Sequence, residues 1–389
     1  MKITGIDCHV LLAPNFDPAL TSSAQDSFIV VIHTDEGIDG YGESDVNPWI
    51  AKTCIEAPGT HTMSLSLRDI LIGADPSDIP ALWRRMYIGT CMHGRRGAVI
   101  HAMGALEIAL WDIKGKIEGK PVYELLGGLQ QPSIVPYASL QPSGKSIEEY
   151  RDSLCAWALR AKEFGFKAVK AEVTMNGPYA HSGLQEGFDR HTEVVAAVRK
   201  ALGPDTALMI DVQYLWNDAT TALETVRQWK EFDLFFLETP IWVDNLDEYA
   251  RLHDEAPMKI ASGEWLATHW EFAELIERGK IDVAQPDVGR VGGFLEAKKV
   301  CDIAASHGRL IVPHCWKTGL SVTATAHLAF NTPHCAYVEY LPPHLCVETL
   351  RRELVQEGFD FANGKILPPK KPGLGIELNE EVLRRYKVA

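Results

Sequence analysis

The chain has 389 residues, 46% of them hydrophobic, and a formal charge of −14. This composition excludes a disordered chain, a collagen-like repeat and a small disulfide scaffold, and at roughly 100 to 200 residues per domain it suits one α/β barrel of about 250 residues plus a smaller domain. An acidic surface with no run of Lys and Arg repels phosphate backbones, so no nucleic-acid partner is expected.

From Met1 to about Ser44 the pattern is strand-like. Phe28-Ile29-Val30-Val31-Ile32-His33-Thr34 leads through Asp35-Glu36-Gly37 to Gly40-Tyr41-Gly42-Glu43, a hairpin signature. The stretch Leu11 to Ser27, with Pro14, Asn15 and Pro18, interrupts it. Val99, Met103, Leu106, Leu110, Ile113 and Ile117 then recur at steps of three and four, placing them on one helical face that Gly119 and Pro121 end. Residues 1–125 therefore read as an α+β domain.

After Gly127-Gly128, short apolar runs alternate with amphipathic helical stretches, the pattern of a parallel sheet. Eight strands are expected: Ile134 to Leu140, Ala168 to Val173, Ala207 to Val212, Leu234 to Thr239, Lys259 to Gly263, Ile281 to Pro286, Leu310 to Pro313 and Ala336 to Tyr340. Eight β/α units over 126–365 match a closed (β/α)8-type barrel, which leaves no exposed sheet edge. An open doubly wound sheet lacks its GxGxxG after the first strand. The loop from Thr174 to Asp189 exceeds an ordinary βα connection and reads equally as a lid or a tolerated insertion. The tail, 366–389, is turn-rich, ends in a short helix and is expected to return to the first domain. Eight scattered cysteines without a CxxC pair read as reduced thiols. Without an export leader or about 18 uninterrupted apolar residues, a soluble, cytoplasmic protein away from membranes is expected.

Acidic residues end three successive strands. Asp211 in Ile-Asp-Val, Glu238 in Leu-Glu-Thr-Pro and Glu264 in Ser-Gly-Glu lie 27 and 26 residues apart, about one β/α unit each. In a barrel this sets three carboxylates side by side at the C-terminal mouth, where they repel unless protonated or bridged by a hard divalent cation, most simply Mg²⁺. A lone strand-end carboxylate reads better as a helix cap or surface charge; three in register reverse that balance. The register continues through Asp287 and His314, which neighbouring strands place side by side as an Asp-His dyad, the carboxylate fixing the tautomer. Glu339 closes the ring, either as a neutral acid of raised pKa donating to an oxyanion or as a salt-bridge partner. Lys170 and Glu172 share one face of the second strand. A nearby divalent cation disfavours the Lys170 ammonium while Glu172 opposes that push, so Lys170 reads as either a base or a carboxylate clamp.

Together these residues resemble the enolase superfamily and, within it, the mandelate racemase-like subgroup. The likeness also takes in Ala109-Leu110-Trp111-Asp112-Ile113-Lys114-Gly115-Lys116, Gly119-Lys120-Pro121 and Leu125-Leu126-Gly127-Gly128, and spans nearly the whole sequence. It implies a capping domain on the barrel, Asp211, Glu238 and Glu264 as Mg²⁺ ligands, Asp287 and His314 as the dyad, and Glu339 beside an enediolate intermediate. It also implies a homo-oligomer, and substrate-selecting loops at Leu11 to Ser27 and near Trp49. The subgroup commonly carries Lys-x-Lys where this protein has Lys170-Ala171-Glu172. Losing the second lysine leaves one base, His314, which suffices for removing an α-proton and protonating a departing β-hydroxyl. The expectation is a dehydratase of an aldonic or aldaric acid giving a 2-keto-3-deoxy acid. The alternatives are a racemase or epimerase with Glu172 as second base, and a non-catalytic binding protein that keeps the fold. A hydrolase through Cys315 is disfavoured, because adjacent strand residues face opposite ways. Arg290, Trp316, Trp49, His181, Trp265 and one of Arg95 and Arg96 are candidate substrate contacts, each equally readable as structural support.

Overall fold

The computed structural model describes residues 1–17 and 22–389. The fold opens with an antiparallel sheet of β1 (Ile3–Leu12), β2 (Asp26–Thr34) and β3 (Gly40–Ser44), in that order. The expected hairpin is β2 and β3, with Phe28 opposite Ser44 and Ile32 opposite Gly40. β1 pairs with β2 from Leu12 and Asp26 to Ile3 and Thr34, so the stretch from Leu11 to Ser27 connects these strands at one end. Its residues 18–21 lie outside the described residues.

The periodic segment forms the helix Ala98–Glu118, closed by Gly119 at φ 65° in the left-handed region. Its burial departs from the single face that the spacing suggests. Ala102 through Ile113 are buried on every side, because the helix lies between β3 and the barrel, whereas Ile117 at its end is 43% exposed. Close approach explains Gly104: a β-carbon there would collide with the carbonyl of Gly289, on the turn Val288–Val291 of the barrel.

Eight parallel strands follow: β4 (Pro136–Ser139), β5 (Ala168–Glu172), β6 (Ala207–Asp211), β7 (Leu234–Glu238), β8 (Lys259–Ser262), β9 (Val283–Ala284), β10 (Leu310–Ile311) and β11 (Val338–Glu339). They run in the order β10-β9-β8-β7-β6-β5-β4-β11, and a parallel bridge from Ile311 to Cys335 joins the two ends. The last three are shorter than the apolar runs predict. In β9 the reason is Pro286, which has no N–H to continue the ladder. Tyr137, Ala168, Met209, Phe236, Ala261, Val283 and Val312, all inward-facing, pack into a closed plug beneath the mouth.

Charged and polar groups fasten the N-terminal elements to the barrel. Gly293 precedes the helix Phe294–Ser306 with no capping side chain, and Glu107 takes that role from the N-terminal part. It accepts from Phe294 N at 2.7 Å, Leu295 N at 3.0 Å and Trp111 Nε1 at 2.8 Å. Glu43 on β3 accepts from Thr318 Oγ1 at 2.7 Å and Ser321 N at 3.0 Å. Asp112 receives Leu374 N at 2.8 Å from the tail. After the helix Glu380–Tyr386 the tail reaches β1, where Val10 exchanges hydrogen bonds of 2.9 Å with Val388 and Ala389. All eight cysteines are free, and no helix among the described residues is long and apolar enough to cross a membrane.

Candidate active site

Strand register decides which side chains meet at the mouth. Glu172, Asp211 and Glu238 are the terminal residues of β5, β6 and β7 and stand directly opposite one another along the sheet. Glu264 comes two residues beyond β8, after Gly263 at φ 118°. The turns behind these carboxylates are strained: Gln213, Tyr214 and Thr239 occupy the left-handed region at φ 44°, 60° and 46°. That conformation brings Gln213 N to 3.0 Å and Thr239 Oγ1 to 2.9 Å from Asp211 Oδ1, so one oxygen is fixed by the protein while Oδ2 lies on the side of Lys170.

Among the described residues, three His or carboxylate donors come within 4.8 Å of one another at Asp45, Asp287 and His314; Asp211, Glu238 and Glu264 stand further apart. Lys170 lies between Glu238, Asp211 and Glu339. Its ammonium lies 2.9 Å from Glu238 Oε1, 3.2 Å from Glu339 Oε1 and 3.8 Å from Asp211 Oδ2. Burial disfavours the charged lysine, but Glu238 and Glu339 outweigh it and hold the pKa well above the ordinary value. In this structure Lys170 is paired as an ammonium with Glu238 and Glu339. Of the two readings of Glu339, the contacts support the salt-bridge partner. Burial would raise its carboxyl, yet Lys170, His314 and Cys315 N at 2.8 Å lower it, so it is an ionised acceptor rather than a neutral acid.

Removing that ammonium exposes the repulsion between these carboxylates. Lys170→Met is expected to lower the unfolding free energy of the metal-free protein by about 3–5 kcal/mol, the cost of leaving a buried ionic partner alone. Urea denaturation at neutral pH measures it. A loss near zero would mean that the carboxylates are already relieved by shared protons.

The dyad is formed. His314 Nδ1 lies 2.9 Å from Asp287 Oδ2, and Asp287 Oδ1 accepts from Gly289 N and Arg290 N at 2.9 and 3.0 Å, which fixes the carboxylate as the cap of the turn Val288–Val291. The other imidazole nitrogen, Nε2, is 3.2 Å from Glu264 Oε2. Burial and Arg290 oppose protonation of His314, but Asp287, Glu264 and Glu339 prevail and push its pKa up to about 9. Glu172 is pushed up to about 7 by enclosure and by Asp211, and its Oε1 accepts from Thr174 Oγ1 at 3.0 Å.

The donor set suits a hard divalent cation. Asp211, Glu238 and Glu264 offer only carboxylate oxygens, and Glu238 Oε2 is buried with no hydrogen-bond partner, which is costly for a carboxylate unless a ligand meets it. These three carboxylates offer an all-oxygen ligand set for such an ion.

The remaining candidates divide. Arg290 is buried, with Nε on Asp45 O at 2.8 Å, one terminal nitrogen on Asp45 Oδ2 at 2.6 Å and the other on Glu264 O at 3.1 Å. It pins the turn after β8 to the end of β3. Arg96 pairs with Glu271 at 3.1 Å and lies over Trp270, on the outer helix Thr268–Glu277. Arg95 is exposed. Trp316 lines a small cavity with Ala24, Lys317, Glu339 and Arg351. Trp49 is 44% exposed on the helix Pro48–Glu56. His181 packs on Tyr150 at 5.0 Å within the long loop. That loop is braced internally by His181 N to Thr174 O at 2.7 Å, Glu186 N to Met175 O at 2.8 Å and Asn176 Nδ2 to Glu186 O at 2.9 Å.

Sequence reasoning missed Asp45 and Lys317, which pair at 3.2 Å beside the dyad. It also missed Thr239. Asp45 lies 245 residues from its partner Arg290, a separation no local pattern spans, while the only trace of Thr239 is its place between Glu238 and Pro240.

Comparison with known proteins fits this geometry. The enolase C-terminal domain-like family matches residues 153–382, and the mandelate racemase / muconate lactonizing enzyme N-terminal domain matches 6–127. The protein is 30% identical to a D-galactarolactone cycloisomerase of Agrobacterium fabrum, covering 100% of this chain and 99% of that one. It is 31% identical to an arabinonate dehydratase of Saccharolobus solfataricus, covering 92% and 89%. Among solved structures, the 3,6-anhydro-D-galactonate cycloisomerase from Zobellia galactanivorans superposes with a TM-score of 0.85 at 30% identity, covering 100% of both chains.

Proposed function

Because the chain belongs to the mandelate racemase / muconate lactonizing enzyme family of the enolase superfamily, we propose that it is a Mg²⁺-dependent acid-sugar dehydratase. The substrate is an aldonate or aldarate and the product a 2-keto-3-deoxy acid. The observation that carries this is the state of the two basic residues: Lys170 is bound as an ammonium by Glu238 and Glu339, which leaves the dyad imidazole of His314 as the base.

Asp211, Glu238 and Glu264 would hold Mg²⁺, which would supply Lewis-acid stabilisation of charge developing on the substrate carboxylate. His314 acts as a base only in its neutral form. His314 Nε2 then removes the proton α to the carboxylate, while Asp287 holds Nδ1 and steadies the imidazolium. The resulting enediolate collapses by expelling the β-hydroxyl, which the same imidazolium protonates. Lys170 contributes positive charge near the developing dianion, and Glu339 keeps Lys170 in place. Loss of water leaves an enol that tautomerises to the 2-keto acid.

Sugar acids incubated with Mg²⁺ and assayed for 2-keto acids with semicarbazide test the reading. Solvent deuterium entering recovered substrate with inversion, and no keto acid, would establish the epimerase instead. A second reading is favoured by full-length likeness to two cycloisomerases. If the β-oxygen belongs to a ring, the same elimination opens the ring and releases no water. Mass spectrometry of the product separates the two, since dehydration removes one water and ring opening conserves mass.

A further inference from the structure

Four consecutive strands end in an acid or are closely followed by one, and each then supplies an aromatic ring. Glu172 on β5 is followed by Tyr179, Asp211 on β6 by Tyr214, Glu238 on β7 by Trp242, and Glu264 after β8 by Trp265. The rings meet. Tyr214 stacks on Trp265 with centroids 4.3 Å apart and on Trp242 at 4.9 Å. Trp242 lies 6.0 Å from Trp265, and Tyr179 sets its edge against Trp265 at 5.7 Å and Trp242 at 6.3 Å. Tyr214, 1% exposed, is the hub, whereas Trp265 keeps 38% of its surface open. The braced loop from Thr174 to Asp189 carries Tyr179 to this cluster.

A wall of this kind does nothing for proton transfer, and its outer ring presents an open aromatic face. Its chemistry suits a surface with C–H bonds on one side. A linear sugar acid carries hydroxyls around its whole length and offers no such face, whereas a closed sugar ring gathers several C–H bonds on one side and most of its hydroxyls at the rim.

We propose that Tyr179, Tyr214, Trp242 and Trp265 form a specificity wall that selects a sugar acid with a ring-closed body, Trp265 being the face on which the ring stacks. This rests on the acid-sugar reading above and narrows its substrate class. It holds whether the departing oxygen is a free hydroxyl or part of the ring.

The test uses the full-length protein in Mg²⁺ buffer. The probes are the methyl glycosides of D-glucuronate and D-galacturonate, whose rings cannot open, and the linear acids D-gluconate and D-galactonate. Binding is followed by calorimetry and by tryptophan fluorescence. At least one locked ring is expected to bind roughly ten-fold more tightly than its linear counterpart and to quench the fluorescence. Trp265→Ala is expected to erase that preference and the quench together, and Trp265→Phe to keep most of the preference. Tyr179→Ala, at the edge of the wall, is expected to reduce it. Equal affinity for rings and linear acids, no binding of either ring, or a preference that survives Trp265→Ala overturns the proposal. The 2-keto acid assay judges the dehydratase reading separately: keto acid formed from linear acids, unaffected by Trp265→Ala, leaves that reading standing and removes the wall. A ring preference lost in Trp265→Ala, with no keto acid from any sugar acid, does the reverse.

Discussion

His314→Asn is expected to lower kcat by about two to four orders of magnitude, the range that general acid–base catalysis contributes. The imidazole is the proposed acceptor of the α-proton and donor to the leaving hydroxyl, and Asn can do neither. The substitution should also stop exchange of the substrate α-hydrogen with D₂O, and this second readout is the more discriminating. If Glu172 served as a second base, exchange from one configuration would survive in the variant. Loss of both turnover and exchange, with Mg²⁺ binding retained, is the outcome that supports one base working on one face. Asp287→Asn should fall in the same range, because it removes the charge that steadies the imidazolium 2.9 Å away.

Removing divalent cations with a chelator is expected to abolish turnover, and Mg²⁺ to restore it. Glu238→Gln should weaken Mg²⁺ by at least the 10–100-fold typical of losing even an outer partner of a metal site. Stability offers a readout independent of activity. A ligand at a hundred times its Kd adds about 2.7 kcal/mol to the folded state, so Mg²⁺ should raise Tm in the native protein and much less in Glu238→Gln. Lys170→Met should gain more from Mg²⁺ than the native protein does, since the ion then supplies the positive charge that the substitution took away. Full activity after exhaustive chelation, or no Mg²⁺ binding by calorimetry, would defeat the metal assignment.

Much of this site was legible in the sequence because a barrel is periodic. Each strand buries an apolar run and ends at the same rim, so Asp211, Glu238 and Glu264 reveal their shared level through spacing alone, and Asp287 and His314 follow. Strand lengths were less legible, as Ile281 to Pro286 illustrates: an apolar run continues past the point where proline ends the ladder. The sequence left the charge states of Lys170 and Glu339 open between two readings each. Each residue's own sequence surroundings are uninformative, and the direction follows from a 3.2 Å approach between strands at opposite ends of the barrel domain in sequence. The hold of Asp45 on Arg290 was invisible for the same reason, as was the burial of Ala98–Glu118 on every side, since its partners lie far along the sequence.

The fastening of Glu107 to the helix Phe294–Ser306 bears on how such proteins can be recombined. A carboxylate from the first third of the protein completes the start of a barrel helix almost two hundred residues later, and Gly104 fits where only a bare backbone can approach Gly289. A hybrid that joins this barrel to another protein's N-terminal part must reproduce both features, or it leaves buried amides unpaired at the seam. New substrate preferences are therefore more accessible by altering the loops around the mouth than by trading the N-terminal part whole. Partial unfolding that frees only the first 125 residues is disfavoured on the same grounds, so the two parts should melt together.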